Sequence, residues 1–152
     1  MSLSSIEDFE KLINEYKEQL PNVAYNIVDR LADEGLENNL KSTKKKETKI
    51  VGTKVIGGFE TTDPIDTYKE FGTGITGANN PHLSEVLAKV GWIYDVNQHG
   101  EKGWIYPKGD GTFGWTKGIS AQKKFYQACR RVEQKFDEVA IEEIAKIIGG
   151  VK

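Results

Sequence analysis

The chain has 152 residues, with 21 basic and 23 acidic side chains and a formal net charge of −2. That is the size of one ordinary domain, placed here at 4–150, and it creates no whole-molecule field to draw in nucleic acid or an anionic membrane. A single cysteine, Cys129, excludes an internal disulfide and a cysteine zinc cluster. No apolar run reaches the roughly 18 residues that span a bilayer, and the first residues lack a signal peptide's basic start and apolar stretch, so a cytoplasmic protein with no membrane contact is expected. Met1-Ser2-Leu3 reads as a cloning remnant.

In chain order, Ser5 three residues before Asp8 is a helix-start pattern, and Ile6, Phe9, Ile13, Tyr16 and Leu20 form one helical stripe. Pro21 interrupts it, while Ala24, Ile27, Leu31, Leu36 and Leu40 keep nearly the same phase. Two helices, 5–20 and 22–40, sharing a buried face are therefore expected. Residues 41–49 carry five lysines among Ser, Thr and Glu and read as a solvated basic loop. Ile50, Val51, Val55 and Ile56 predict a strand broken at Gly52 and ended by Gly57-Gly58, with a further strand at 65–71.

Ten of the sixteen glycines and all three tryptophans then fall between Gly72 and Gly118, a stretch of turns and short β-pieces. Leu83, Val86, Leu87 and Val90 predict a short helix over 81–90, opened by Asn80. Gly91-Trp92-Ile93-Tyr94 is echoed by Gly103-Trp104-Ile105-Tyr106. Lys108-Gly109-Asp110-Gly111 supplies a tight reversal, so 103–107 and 112–116 form a hairpin. Ser120 is expected to cap a long helix with its stripe at Phe125, Ala128, Val132, Phe136, Val139, Ala140, Ile144 and Ile147, closed by Gly149-Gly150. Helices at both ends with a turn-rich β region between them make an α+β domain, its terminal helices packed on a mainly antiparallel sheet.

Gly72-x-Gly74-x-x-Gly77 matches the dinucleotide fingerprint literally, with Asp95 eighteen residues after the last glycine. The mechanism needs a buried strand before the motif and a helix holding its third glycine. Residues 66–70 are too polar for the former, and 78–81 separate the glycine from any expected helix, so no cofactor is expected. His82 and His99 lie in different polar turns without ligand spacing and read as surface histidines, not a metal site. Cys129 reads as a small hydrophobe on the apolar stripe. With no nucleophile elbow or phosphate loop, neither an enzyme nor a small-molecule substrate is expected.

Charge on the last helix does stand out. Residues 117–135 carry Lys117, Lys123, Lys124, Arg130, Arg131 and Lys135 against Glu133, whereas 136–146 carry Asp137, Glu138, Glu142 and Glu143 against Lys146. This order opposes the helix dipole, so local helix stability did not place it. The first helix is acidic, with Glu7, Asp8, Glu10, Glu15 and Glu18 against Lys11 and Lys17. One expectation is head-to-tail assembly, with Lys117, Lys123, Lys124, Arg130 and Arg131 meeting the acidic helix of a neighbouring copy in a ring. The other is solvated faces or pairing within the chain.

Glu70-Phe71-Gly72-Thr73-Gly74, followed by Gly103-Trp104-Ile105-Tyr106, Gly114-Trp115-Thr116-Lys117-Gly118 and Phe125-Tyr126-Gln127-Ala128, resembles the tail-component family of long-tailed phages and prophages, the "gene product ten" family of Hong Kong-type lambdoid phages. The resemblance covers roughly 5–148, and its matched positions are Phe71, Gly72, Gly74, Trp104, Trp115 and Gly118, for which it implies mainly structural roles. It implies a non-enzymatic neck protein that completes the head-to-tail junction by forming a ring between head connector and tail tube or tail terminator. It places the protein in the bacterial cytoplasm during assembly and then in the virion neck. Two features depart from the family pattern: the stretch after the helices is reduced to Asp33-Glu34-Gly35-Leu36, and 81–90 looks like an insertion. The alternative is a nucleic-acid-binding module using 41–49 and the basic half of the last helix, with tryptophans as stacking platforms. A neck ring threaded by DNA would itself make at most weak, nonspecific DNA contact.

Overall fold

The computed structural model describes residues 6–96 and 102–150. The expectations for Ser5, the first three residues and His99 lie outside them. The chain is α+β: α1 (Ile6–Leu36), β1 (Thr43–Val51), β2 (Lys54–Thr61), α2 (Pro64–Phe71), α3 (Gly74–Asn79), α4 (Ser84–Val90), β3 (Trp104–Pro107), β4 (Phe113–Thr116), β5 (Gly118–Ile119) and α5 (Lys124–Gly150). It divides into two compact units. The first holds α1, the β1–β2 hairpin through Glu60, and α5 from Ala128; the second holds Leu40–Ser42 and Thr61–Gln127.

In the first unit, α1 is one helix of 31 residues with Pro21 inside it, rather than two. The apolar stripe stays in phase across Pro21, and burial of that stripe further along outweighs one missing N–H. Val23, Leu31 and Ala32 of α1 and Ala128 and Val139 of α5 are buried. Residues 43–51 are a strand and not a loop. Thr48 is buried and donates to Asp29 at 2.8 Å, while Lys45 reaches Asp29 and Asp33 at 2.9 and 2.8 Å. Lys44, Lys46 and Lys49 point to solvent, so the lysine run is the wet face of a one-sided hairpin. Gly52-Thr53 is the reversal between β1 and β2, and β2 continues through Gly57-Gly58 instead of ending there.

The two long helices run antiparallel in this unit, joined by charge. Arg30 donates to Glu143 at 2.6 Å and Glu142 at 2.7 Å, Lys135 donates to Glu34 at 2.7 Å, and Arg131 donates to the Glu37 carbonyl. Glu143 is fully buried, also receives Lys146, and is held below the usual carboxylate range first by Lys146 and then by Arg30. The inverted charge order of α5 is thus answered within the chain: basic turns face the acidic end of α1, and acidic turns face Arg30.

In the second unit, 64–71 is a helix and not a strand. Asp63 caps it by accepting from Ile65 N at 2.8 Å, and Pro64 fits the first turn, where no N–H is needed. The short helix α4 begins at Ser84, after a non-helical Pro81-His82-Leu83. β3 and β4 pair antiparallel as expected, Trp104 with Thr116 and Pro107 with Phe113, around a turn closed by Lys108 N to Thr112 O at 2.7 Å. α5 starts at Lys124, not at Ser120, and its cap comes from elsewhere in the chain.

Candidate functional site

The second unit is organised by Glu70, a buried carboxylate on the last turn of α2. Its Oε2 accepts from Phe125 N and its Oε1 from Tyr126 N, both at 2.8 Å, so it caps the first turn of α5. That turn carries no acidic side chain of its own, and Glu70 supplies the negative charge the helix N-terminus favours. His82 completes the group. Its Nδ1 accepts from Leu83 N at 2.9 Å, which leaves the proton on Nε2, 3.3 Å from Glu70 Oε1. His82 is 3% exposed, packed between Phe71 and an edge-on Tyr126, and is not a surface residue. Nothing in its polar sequence surroundings signalled this, because both ring nitrogens find partners in the fold.

Beside this hub two glycine segments lock together. Thr73 bridges Ile119 and Gly74 bridges Gly118, antiparallel. The approach is backbone on backbone: a Cβ on Gly74 would fall 2.4 Å from the Lys117 carbonyl oxygen, and one on Gly118 would fall 1.9 Å from the Thr73 carbonyl oxygen. Both have positive φ, +58° and +107°, so only glycine meets the steric and the conformational demand together. Phe71 packs on Trp92 at 5.0 Å, Trp92 Nε1 donates to the Gly72 carbonyl at 3.1 Å, and Trp104 lies against Gly74. Five of the six positions singled out by the sequence resemblance, Phe71, Gly72, Gly74, Trp104 and Gly118, therefore meet in one clasp. Trp115 stands apart at 59% exposure, its Nε1 donating to the Lys102 carbonyl and Lys117 Nζ lying 5.8 Å from its ring centroid.

The clasp also explains the fingerprint. Gly77 does lie inside a helix, the short α3, contrary to the sequence expectation. Helix α2, not a strand, precedes the motif, and the amides of the first turn are engaged: Gly74 N donates to Tyr94 O at 2.7 Å and Thr76 N to Lys117 O at 3.2 Å. The motif closes a chain crossing.

Along the clasp lies an open cleft of about 940 Å³, walled by Ile65, Tyr68, Trp92, Tyr94, Trp104, Tyr106 and Ile119, with Lys69, Asp95 and Lys108 among its lining residues. Lys69 is already paired to buried Asp66 at 2.7 Å. What this surface offers is aromatic and apolar area, suited to recognition by contact. Among the described residues, no three His, Cys, Asp or Glu side chains converge as a metal-binding group. Cys129 is half-buried on α5. No helix among the described residues is long and apolar enough to cross a membrane.

The residues expected to form an assembly surface are distributed. Lys117 and Lys124 are exposed, Lys123 is half-buried at positive φ, Arg130 pairs with Glu133 one turn on, and Arg131 is bound to Glu37. Of the lysines at 41–49, Lys45 is held by Asp29 and Asp33, Lys46 by Glu60 and Lys49 by Glu47. No protein family, curated protein or solved structure matches the chain.

Proposed function

We propose that this is a non-enzymatic structural protein of a long-tailed phage or prophage, a minor tail component that completes the head-to-tail junction. It works through contact with head-connector and tail-tube or tail-terminator proteins and through ring assembly of its own copies. The observation that carries the reading is the clasp: the residues on which the resemblance to the tail-component family rests are spent on a chain crossing and its aromatic packing, the kind of constraint a rigid building block needs. The buried ionisable groups support it too, since Glu70, Asp66 and Glu143 cap a helix, anchor a loop and join two helices. The exposed basic side chains Lys117 and Lys124 remain the candidates for a contact with an acidic neighbour.

The alternative, a nucleic-acid-binding module on 41–49, draws less support because Lys45, Lys46 and Lys49 are neutralised locally. The protein assembles in the bacterial cytoplasm and ends in the virion neck. Immunogold labelling of purified particles tests this: label confined to the neck is expected, and particles that contain none of the protein contradict it.

A further inference from the structure

The first half of α1 carries an apolar stripe that the described residues of its own unit cover only in part. Ion pairs Arg30–Glu143 and Lys135–Glu34, with the Arg131–Glu37 bond, fix the antiparallel register of α1 against α5. Continued to the end of α5 at Gly150, that register stops beside about residue 20 of α1. Residues 6–20 thus extend past α5 as an arm about 22 Å long. Its stripe is in phase with the buried Val23 and Leu31, yet Ile6 is 78% exposed and Phe9 and Leu20 are each 52% exposed, with Ile13 and Tyr16 between them half-buried. Ile6, Phe9, Ile13, Tyr16 and Leu20 are spaced three, four, three and four residues apart, the repeat of a coiled-coil seam.

We infer that this arm is a self-association element that pairs antiparallel with the same arm of a second copy. The charges choose both the occupant and the direction. On one side of the seam the flanking residues are Glu10 and Lys17; on the other they are Leu12 and Gln19. In antiparallel pairing like flanks face each other, so Glu10 meets Lys17 of the second copy and Lys17 meets its Glu10, with Phe9 layered on Leu20 and Ile13 on Tyr16. A parallel pair would set Glu10 and Lys17 against uncharged flanks and gain no ion pair. The remaining charges, Glu7, Asp8, Lys11, Glu15 and Glu18, lie off the seam. Because α1 is already helical in the folded unit, the arm does not bear the nucleation cost that makes a free two-heptad helix marginal. This inference stands independently of the neck reading.

Sedimentation equilibrium of the full chain tests it. The expected result is a reversible dimer that Ile13→Glu converts to monomer while the thermal transition of the monomer is retained. Glu10→Lys alone and Lys17→Glu alone should each weaken the dimer about tenfold, and an equimolar mixture of these two variants should restore it. A monomer at every concentration overturns the inference. So does a dimer indifferent to both charge variants, or one that survives Ile13→Glu but is lost on Ile144→Glu, which would put the contact on the exposed face of α5.

Discussion

Gly118 shows how much of this structure rests on single atoms. Adding one methyl there forces a Cβ to within 1.9 Å of the Thr73 carbonyl oxygen at a φ of +107°, so Gly118→Ala should cost about 3 kcal/mol or more in urea unfolding. Gly109→Ala, where a Cβ meets nothing within 4 Å, should be near neutral in the same measurement. Asp66 makes a second prediction. Lys69 at 2.7 Å and the Ser42 amide at 2.8 Å hold its carboxyl down at about 2, below the ordinary 3.8. Since the folded value is the lower one, the stabilisation, roughly 1–2 kcal/mol, is complete above the ordinary value and disappears as pH falls through about 2. Unfolding midpoints measured between those limits should drop with acid in the native chain and flatten in Asp66→Asn.

Elements were legible where periodicity was long or turn chemistry explicit. α5, the stripe of α1 and the β3–β4 hairpin follow from their spacing and from Lys108-Gly109-Asp110-Gly111. Where the structure differs, the causes are physical. Pro21 looked like a boundary, but a stripe in phase on both sides carries the helix through it. β1 looked like a loop because three of its lysines point to solvent, while the Thr48 and Lys45 contacts that hold the strand come from α1. The short run Ile65 to Phe71 passed for a strand, although Asp63-Pro64 was already a helix-start signal in the sequence. The site was half visible: its glycines and tryptophans stood out, whereas the Glu70–His82 hub joins positions twelve and fifty-five residues apart and has no local pattern. The cap it provides is testable. Glu70→Ala strands the Phe125 and Tyr126 amides and His82 Nε2, and should cost about 2–4 kcal/mol by chemical denaturation, with Glu70→Gln retaining part of it.

At the scale of the whole molecule, the chain spends its buried charge and its glycines on construction and leaves its apolar surplus outside. Exposed stripes on the α1 arm and on α5 at Ile141, Ile144 and Ile148, with the aromatic cleft of the second unit, are surfaces of the kind that mark contact with other chains. The inverted charge of α5, for which the sequence left open either a partner or pairing within the chain, is largely answered by α1 of the same chain, and Arg130 and Arg131 are already engaged by Glu133 and the Glu37 carbonyl. In the proposed function, such contacts complete a phage neck. Electron microscopy of induced lysates after deletion of the gene from its prophage, with the restored gene as control, puts this to the test. Filled heads beside finished, unattached tails, rescued by the restored gene, are the predicted result. Normal infectious particles from the deletion would contradict it.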